Sequence, residues 1–441
     1  MNRMKIPINR LLVIQLVATT FLTLPARSEW VWAPAQMISA EELAASGSLA
    51  PLPVPTKLSN FRYPFLQEDG SVIFIANDHL KPAGKEGREG VFKIEANDRV
   101  TSLTSAGEGF VNSPEKVAEV WGLRVAGGRA VFRATLESGQ AGIALWESGR
   151  TYLLASSGTP EGWSEFGYPD ISQNVVVFSA ARKDTGKSLF VADLAGANRV
   201  PAAIVPSGTP MPDTDGLKFE HFSAQQAADG KDAVFRAYSD DYDWRGPKPR
   251  AAGAYRKEAF GKDAPKKIVD MQTQVPGAPA GKTFSYHLDS AVPRNGHTVI
   301  VNETDGLQGI YLASPDGKIE LIADTNTAIP ELFQGAFTGF SKWVSNCHPW
   351  ILFVGAAADY IGIFALKADS EKLYLLADSR MNFDGKKISG AEVSNAAKVG
   401  DKVALMLEFS DGSSGVYLAT FGKGLAMSKT PAGSGKKSSL N

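Results

Sequence analysis

The chain has 441 residues, 44% of them apolar and 21% charged, so it can bury a large core and does not have the composition of a disordered protein. Its 46 basic and 47 acidic residues give a formal net charge of −1, and without a basic excess we expect no binding to nucleic acid. The single cysteine excludes an intrachain disulfide. With 43 glycines, 25 prolines and 10% aromatic residues, the composition favours many short strands joined by turns.

Residues 1–28 are predicted to be a secretory signal peptide. A basic segment precedes the apolar run Leu11–Leu24, and Ala26 and Ser28 are small residues before a cleavage site at Glu29. A membrane anchor is the alternative, but this run is shorter than the roughly 20 residues needed to span a bilayer. We therefore expect a periplasmic or extracellular protein, with no membrane insertion once the leader is removed.

The remaining chain is predicted to have three parts. Residues 29–60 form an N-terminal extension that ends in a proline-rich linker, residues 61–429 form a β domain, and residues 430–441 form a polar, disordered tail.

The β domain contains an internal repeat. Short β-rich runs recur around seven central residues, namely Phe74, Phe132, Phe178, Phe235, Ile300, Phe353 and Leu405. The steps between them are 58, 46, 57, 65, 53 and 52 residues. Most runs are followed by a glycine or serine, a small or aliphatic residue and an aromatic, as in Gly309-Ile310-Tyr311, and then by a third apolar run. A fourth short segment precedes each central residue, so every unit has four strands, which we call a, b, c and d.

Seven four-stranded units in one fixed order predict an all-β fold, a seven-bladed β-propeller. Six or eight blades are the alternatives, and a pair of β-sandwiches is the other fold that many short strands allow. Sandwich strands need not recur in a fixed order, which favours the propeller. The segment 424–429 is expected to supply strand d of the last blade.

Loop lengths point to one face of the predicted propeller. Because strands alternate in direction within a blade, the b–c loops and the d–a crossings lie on the same face, which we call the loop-rich face. Two long b–c loops, at about 77–89 and 238–252, lie on it. A rigid scaffold usually displays its functional residues on such variable loops.

Two sequence patterns resemble known families. The segment Gly309-Ile-Tyr-Leu-Ala313 and its continuation Leu321-Ile-Ala-Asp-Thr-Asn-Thr-Ala-Ile-Pro330 resemble tandem-repeat propellers of exported bacterial proteins. Residues 169–196, with Val-Val-Phe-Ser-Ala-Ala-Arg and Ser-Leu-Phe-Val-Ala-Asp inside them, resemble one TolB-type propeller repeat. These resemblances imply the propeller fold and export, and they transfer no catalytic residue.

The candidate ligand-binding residues lie mainly in the b–c loop of blade four. They are Asp240, Asp241, Tyr242, Asp243, Trp244 and Arg245, together with His221 and His287, which precede inner strands on the same face. Three carboxylates in four residues could hold calcium, but Arg245 stands where an oxygen ligand belongs. Exposed aromatics beside charges suit a sugar or a partner surface, so Tyr242 and Trp244 are predicted to bind.

Other motifs are predicted to be structural. Ala181–Ser188 is one residue short of a phosphate-binding loop, but strands flank it on both sides, so we expect a polar hairpin. Asp270, Asp324 and Asp378 recur at steps of 54 residues and are expected to cap turns. The five histidines show no metal-ligand spacing, so we predict neither a metal nor a cofactor.

Two functions remain open from the sequence. The leading hypothesis is an exported, non-catalytic propeller that binds a protein partner or a glycan through the loop-rich face. The alternative is a propeller hydrolase or lyase, with carboxylates and histidines from several blades gathered at the central channel.

Overall fold

The computed structural model describes residues 36–38, 58–78, 88–95, 99–196, 199–240, 247–327, 329, 336–358, 360–368, 373–380, 382–383, 386–393, 398–400 and 402–420. Its secondary structure consists of strands in seven antiparallel sheets, which confirms the predicted all-β propeller with seven blades. Within these ranges no helix has the length and apolarity that crossing a bilayer requires.

The strands of the first four blades follow the chain in order. Blade one contains β2 (Leu58–Leu66), β3 (Val72–Asp78), β4 (Arg88–Ile94) and β5 (Val100–Ser105). Blade two contains β6 (Gly109–Phe110), β7 (Ser113–Ala126), β8 (Arg129–Leu136), β9 (Ala141–Glu147) and β10 (Arg150–Ser156). Blade three contains β11 (Asp170–Ser172), β12 (Val175–Arg182), β13 (Gly186–Asp193) and β14 (Ala202–Pro206). Blade four contains β15 (His221–Asp229), β16 (Asp232–Tyr238), β17 (Ala252–Glu258) and β18 (Lys266–Asp270).

The last three blades repeat this arrangement, and the seventh also receives a strand from the N-terminal part of the chain. Blade five contains β19 (Leu288–Arg294), β20 (His297–Thr304), β21 (Leu307–Ala313) and β22 (Ile319–Asp324). Blade six contains β23 (Gly339–Cys347), β24 (Trp350–Ala356), β25 (Ile361–Lys367) and β26 (Leu373–Asp378). Blade seven contains β27 (Asn382–Phe383), β28 (Lys386–Glu392), β29 (Lys398–Val399), β30 (Lys402–Phe409), β31 (Ser414–Thr420) and β1 (Gln36–Ile38).

The repeat found in the sequence corresponds to one cross-strand pair per blade. Every predicted central residue lies on strand b and is no more than 1% exposed. In six blades it faces an aromatic of strand c, as Phe74 faces Phe92 and Ile300 faces Tyr311, whereas Phe132 faces Ala144. Such directly opposed apolar pairs stabilise antiparallel sheets, which explains why this position recurs in the sequence.

The core is divided among the seven contacts between neighbouring blades. Each of seven clusters of buried apolar side chains draws on two adjacent blades. One of them joins Phe61 and Phe74 of blade one to Ala404 and Met406 of blade seven, so the ring of apolar contacts is closed.

The prediction that segment 424–429 supplies the closing strand of blade seven is wrong. Strand β1 occupies the outer edge of β31, with Gln36 opposite Thr420 and Ile38 opposite Leu418. A hairpin returning from Thr420 to the predicted segment 424–429 would need these same backbone positions, and that segment lies outside the described residues. Strand d of the last blade therefore comes from the N-terminal part of the chain, not from the C-terminal part.

The innermost strands are interrupted by bulges. Pairing shifts between Arg62 and Phe65 in β2 and between Trp121 and Arg124 in β7, and similar shifts occur in β15 and β23. Each shift lies in the strand that directly precedes strand b of its blade. A bulge bends its strand and changes the direction of nearby side chains, here beside the central channel.

Candidate functional site

All seven innermost strands, or the residues flanking them, line a cavity in the central channel. Its walls are formed by Tyr63, Arg124, Asp170, Gln225, Gln226, Ala227, Ala291, Val292, Trp343, Val344 and Val393. About 30 Å³ is open to the centres of water molecules, which is room for one or two waters rather than for a sugar ring.

The carboxyl group of Asp170 is buried in this channel and bound by main-chain donors. Its Oδ1 accepts the N–H of Ile171 at 2.9 Å, and its Oδ2 accepts the N–H of Ala228 in blade four at 2.9 Å. Burial raises the pKa of Asp170, while the Arg124 guanidinium, 3.8 Å away, opposes the rise. Because the bond from Ala228 joins the inner strands of blades three and four, the carboxyl group has a structural role.

Tyr63 lines the same cavity in a backbone conformation that is unusual for a residue with a side chain. Its φ is 53°, in the left-handed region, and its N–H donates to Glu392 Oε1 of blade seven at 3.4 Å. The ring meets Trp343 edge-on at 6.0 Å between centroids, and Arg124 lies 6.0 Å from its centroid. Burial raises the pKa of the Tyr63 phenol and raises that of Glu392 to about 7.

The channel thus contains carboxyl groups, as the enzyme hypothesis requires, but its described walls include no histidine. The sequence repeat predicted seven inner strands, one for each blade. It did not identify Tyr63, Arg124, Asp170 or Glu392, because their roles depend on bonds to neighbouring blades that no local motif encodes.

A larger cavity opens on the loop-rich face between blades three and four. We call it the inter-blade cleft, and it is lined by Glu165, Phe166, Gly167, Ser179, Ala180, Lys187, Ser188, His221, Phe222 and Ala224. About 150 Å³ is open to water centres, five times the space in the channel. These residues come from the crossing into blade three and from β12, β13 and β15.

His221, a predicted ligand residue, therefore lies on the wall of the inter-blade cleft. It begins β15 and pairs with Tyr238 of β16, and the two rings meet at a steep angle with centroids 5.8 Å apart. Of the other predicted ligand residues that the structure describes, Asp240 and His287, neither lines this cleft.

His287 is exposed and has different surroundings. Its ring is 4.0 Å from that of Tyr286, and the Lys248 ammonium lies 5.8 Å from the Tyr286 ring. Lys248 belongs to the b–c loop of blade four, so this loop reaches the crossing into blade five. The gathering of histidines at the central channel, which the enzyme hypothesis predicts, has no support in these contacts of His221 and His287.

Asp240 stabilises the base of the same loop. Its carboxylate accepts the backbone N–H of Arg250 at 2.9 Å and the Ser239 hydroxyl at 2.7 Å, and the Arg250 guanidinium lies 3.2 Å away. The Arg250 N–H and the Ser239 hydroxyl lower the pKa of Asp240. The remaining predicted residues of this loop, Asp241, Tyr242, Asp243, Trp244 and Arg245, lie outside the described residues.

Two predicted structural motifs are confirmed. Strands β12 and β13 form an antiparallel hairpin over Ala181–Ser188, so this segment is no phosphate-binding loop. The recurring aspartates cap turns: Asp270 Oδ1 accepts from Gln272 and Thr273, and Asp324 Oδ1 accepts from Asn326 and Thr327. In the third copy, Asp378 Oδ1 accepts the N–H of Arg380.

A histidine pair that the sequence did not reveal lies on the opposite face. The rings of His297 and His348 stack with centroids 3.9 Å apart and planes 11° from parallel. A metal ion must lie in the plane of each imidazole that binds it, so one ion cannot satisfy two stacked rings. In the described part of the chain, no three histidine, cysteine or acidic side chains are arranged to hold a metal.

A family model spans residues 19–364, which include blades one to five and strands β23 and β24 of blade six. The chain belongs to DUF7453, a family of unknown function. No curated protein matches the sequence of this DUF7453 chain.

Solved structures resemble the DUF7453 chain only in fold. The β-propeller domain of the Trilobed protease from Pyrococcus furiosus aligns with a TM-score of 0.51 and 10% identity, covering 83% of this chain and 97% of that domain. An acylaminoacyl peptidase from Pyrococcus horikoshii aligns with a TM-score of 0.48 and 10% identity, and the match covers 82% of this chain but only 51% of the peptidase. A TolB-type protein of Agrobacterium tumefaciens aligns with a TM-score of 0.35 and 12% identity, and the match covers 60% of this chain and 81% of that protein. The first match supports the propeller fold that both sequence resemblances imply.

Proposed function

We propose that this protein is an exported, non-catalytic propeller that binds a protein partner or a glycan through its loop-rich face. The observation that supports this proposal is the inter-blade cleft, because it combines the larger cavity with a predicted ligand residue, His221. Concave sites on a rigid scaffold are the usual places for recognition. The periplasm or the extracellular space is the compartment that the predicted leader implies.

The enzyme hypothesis is less well supported. The channel has room for about one or two water molecules, and Asp170 in its wall is bound by two main-chain N–H groups. A hydrolase or lyase would need space for the reacting group beside its acid and base.

A blocking experiment tests which face binds. Asp215 lies in the crossing into blade four, on the loop-rich face, and Asp263 lies in a c–d loop on the opposite face; both are exposed. In a Cys347→Ser background, Asp215→Cys and Asp263→Cys are each coupled to a polyethylene glycol maleimide. The uncoupled proteins and both conjugates are then tested against a glycan array and a library of random peptides.

We expect specific binding that the polymer at position 215 abolishes and the polymer at position 263 leaves intact. Blockade from position 263 alone, or release of a product from an arrayed compound, would contradict the proposal.

The long loop of blade four provides a second test. Replacing Tyr242 and Trp244 together with alanine is expected to weaken binding of the selected ligand without lowering the melting temperature, because the Asp240–Arg250 bonds close the loop independently. Phe260→Ala is the control, since Phe260 is 57% exposed on the opposite face. Unchanged binding by the double variant would exclude the loop from recognition.

A further inference from the structure

We propose that the inter-blade cleft binds one uncharged aromatic side chain of a polypeptide partner. This inference rests on the proposed function and specifies the class of partner. It is carried by the size of the cleft, the hydrogen bonds of its hydroxyl groups, the charges at its rim and the constraints on its walls.

The size of the cleft matches one ring. About 150 Å³ is open to water centres, and an apolar cavity of this order can hold benzene. Such a pocket is suited to a single anchoring side chain, and aromatic anchors contribute most to many protein interfaces.

The interior of the cleft is more apolar than its residue types indicate. Phe166 and Phe222 are 4% and 6% exposed and form part of its lining. The Ser179 hydroxyl donates to the carbonyl of Ser223 at 3.0 Å, and the Ser188 hydroxyl donates to the carbonyl of Thr185 at 3.0 Å. Both hydroxyl hydrogens are already used within the protein, so these two groups remain only as acceptors, and the buried rings of Phe166 and Phe222 favour an aromatic ring as the bound group.

Opposite charges are paired at the rim. Lys187 Nζ lies 3.3 Å from the Glu165 carboxylate. Because these two charges offset each other, the rim does not favour a strongly anionic or cationic group. An uncharged ring complements such a rim, while the two charged side chains can bond to the partner's backbone.

The walls of the cleft are held in place before binding. The N–H of Gly167 donates to the carbonyl of Ser179 at 2.8 Å, and the N–H of Tyr168 donates to the carbonyl of Ala224 at 2.6 Å. A Cβ at Gly167 would meet Ser179 Oγ and the Ala224 carbonyl, so glycine is required there. Glu165 has a φ of 51°, a strained conformation of the kind often found at functional sites. A site formed in advance loses less entropy on binding.

The test fills the cleft with a side chain of the protein itself. Ala224 is exposed and lines the cleft, so Ala224→Trp and the smaller Ala224→Leu are expected to occupy it without disrupting the core. Ala202→Trp is the matched control, because Ala202 is exposed on the outermost strand of blade three. The full chain is used to select phage-displayed random peptides, and their affinities are measured for all four proteins by fluorescence polarisation.

We expect peptides that share one aromatic residue. They should bind the Ala202→Trp control with unchanged affinity, bind Ala224→Trp at least about tenfold more weakly, and bind Ala224→Leu with an intermediate affinity. Melting curves of all four proteins, together with the graded loss at position 224, separate blockade of the cleft from misfolding.

Two outcomes would overturn the inference. One is a set of peptides that bind wild type and both Ala224 variants equally. The other is that no peptide is selected, while the glycan array identifies a ligand whose binding the polymer at position 215 abolishes. The second result rejects the aromatic side chain and leaves binding by the loop-rich face in place.

Discussion

The carboxyl group of Glu392 is half-buried at the inner edge of blade seven, where it accepts the N–H of the strained Tyr63. Burial raises its pKa from 4.5 to about 7, although the Tyr63 N–H, Arg124 and Arg62 oppose the rise. Between these pH values the folded protein binds more protons at this site than the unfolded chain does. The free energy of unfolding should therefore fall as the pH rises from about 4.5 to 7.

The variant Glu392→Gln should remove this pH dependence, because glutamine remains neutral while keeping an oxygen for the Tyr63 N–H. Relative to wild type, the free energy of unfolding of the variant should rise by on the order of 1–3 kcal/mol between pH 5 and pH 8. Urea unfolding at the two pH values measures this difference. Glu137→Gln, at an exposed site, is the control. Equal pH dependence in wild type and Glu392→Gln would show that Glu392 does not titrate in this range.

Neighbouring blades are joined by polar side chains that bind the main chain of the next blade. Glu89 of β4 accepts the N–H of Val120 at 2.9 Å, and Ser179 of β12 donates to the carbonyl of Ser223. Arg236 of β16 is 9% exposed and donates to the carbonyl of Leu288. These bonds satisfy backbone groups near the inner strands and determine how each blade meets the next.

Asp229 makes two such contacts with the next blade. Its carboxylate accepts the N–H groups of Asn295 at 2.9 Å and Gly296 at 2.6 Å, the two residues of the tight turn between β19 and β20. Both have positive φ, which suits an Asn-Gly hairpin turn. The side chain of blade four therefore holds a turn of blade five.

Asp229→Ala should lower the free energy of unfolding by about 1–3 kcal/mol, because it removes two charge-assisted hydrogen bonds. Asp184→Ala removes an exposed carboxylate bound to Arg182 and should lower the free energy of unfolding much less, because exposed ion pairs contribute little. Chemical denaturation of the two variants measures the difference. Equal losses would mean that Asp229 contributes no more than a surface ion pair.

At the scale of the whole molecule, the ring is closed by strand β1 on β31. Met37 lies directly opposite Ala419. In a Cys347→Ser background, Met37→Cys with Ala419→Cys should form a disulfide, since directly opposed strand residues have suitable spacing. The comparison pair, Leu425→Cys with Ala419→Cys, represents closure by the C-terminal segment and should remain reduced.

Peptide mass mapping of both double variants under non-reducing conditions detects these disulfides. A disulfide in the comparison pair alone would restore the closure predicted from the sequence.

Much of the fold could be predicted from the sequence because its repeated positions are buried in the same way. Each central residue, such as Phe178 or Phe353, occupies the same site on strand b, so blade number and strand order followed from spacing. Ring closure could not be predicted this way, because a three-residue strand carries little pattern and its partner lies nearly 400 positions away.

The candidate site could be predicted only in part. Loop geometry predicted that His221 lies on the loop-rich face, and the structure has it there, on the wall of the inter-blade cleft. The inter-blade cleft itself depends on Gly167 approaching two neighbouring strands and on serine hydroxyls binding main-chain carbonyls. These are contacts between segments far apart in the chain, and a single sequence does not encode them in a local motif.

Hydrogen exchange followed by mass spectrometry, with and without the tightest selected peptide, tests the binding site most directly. We expect slower exchange in the segments 164–168, 179–188 and 221–225, which surround the inter-blade cleft, and unchanged exchange in the a–b turns and c–d loops of the opposite face. Protection confined to the opposite face, or to the mouth of the channel, would contradict the account.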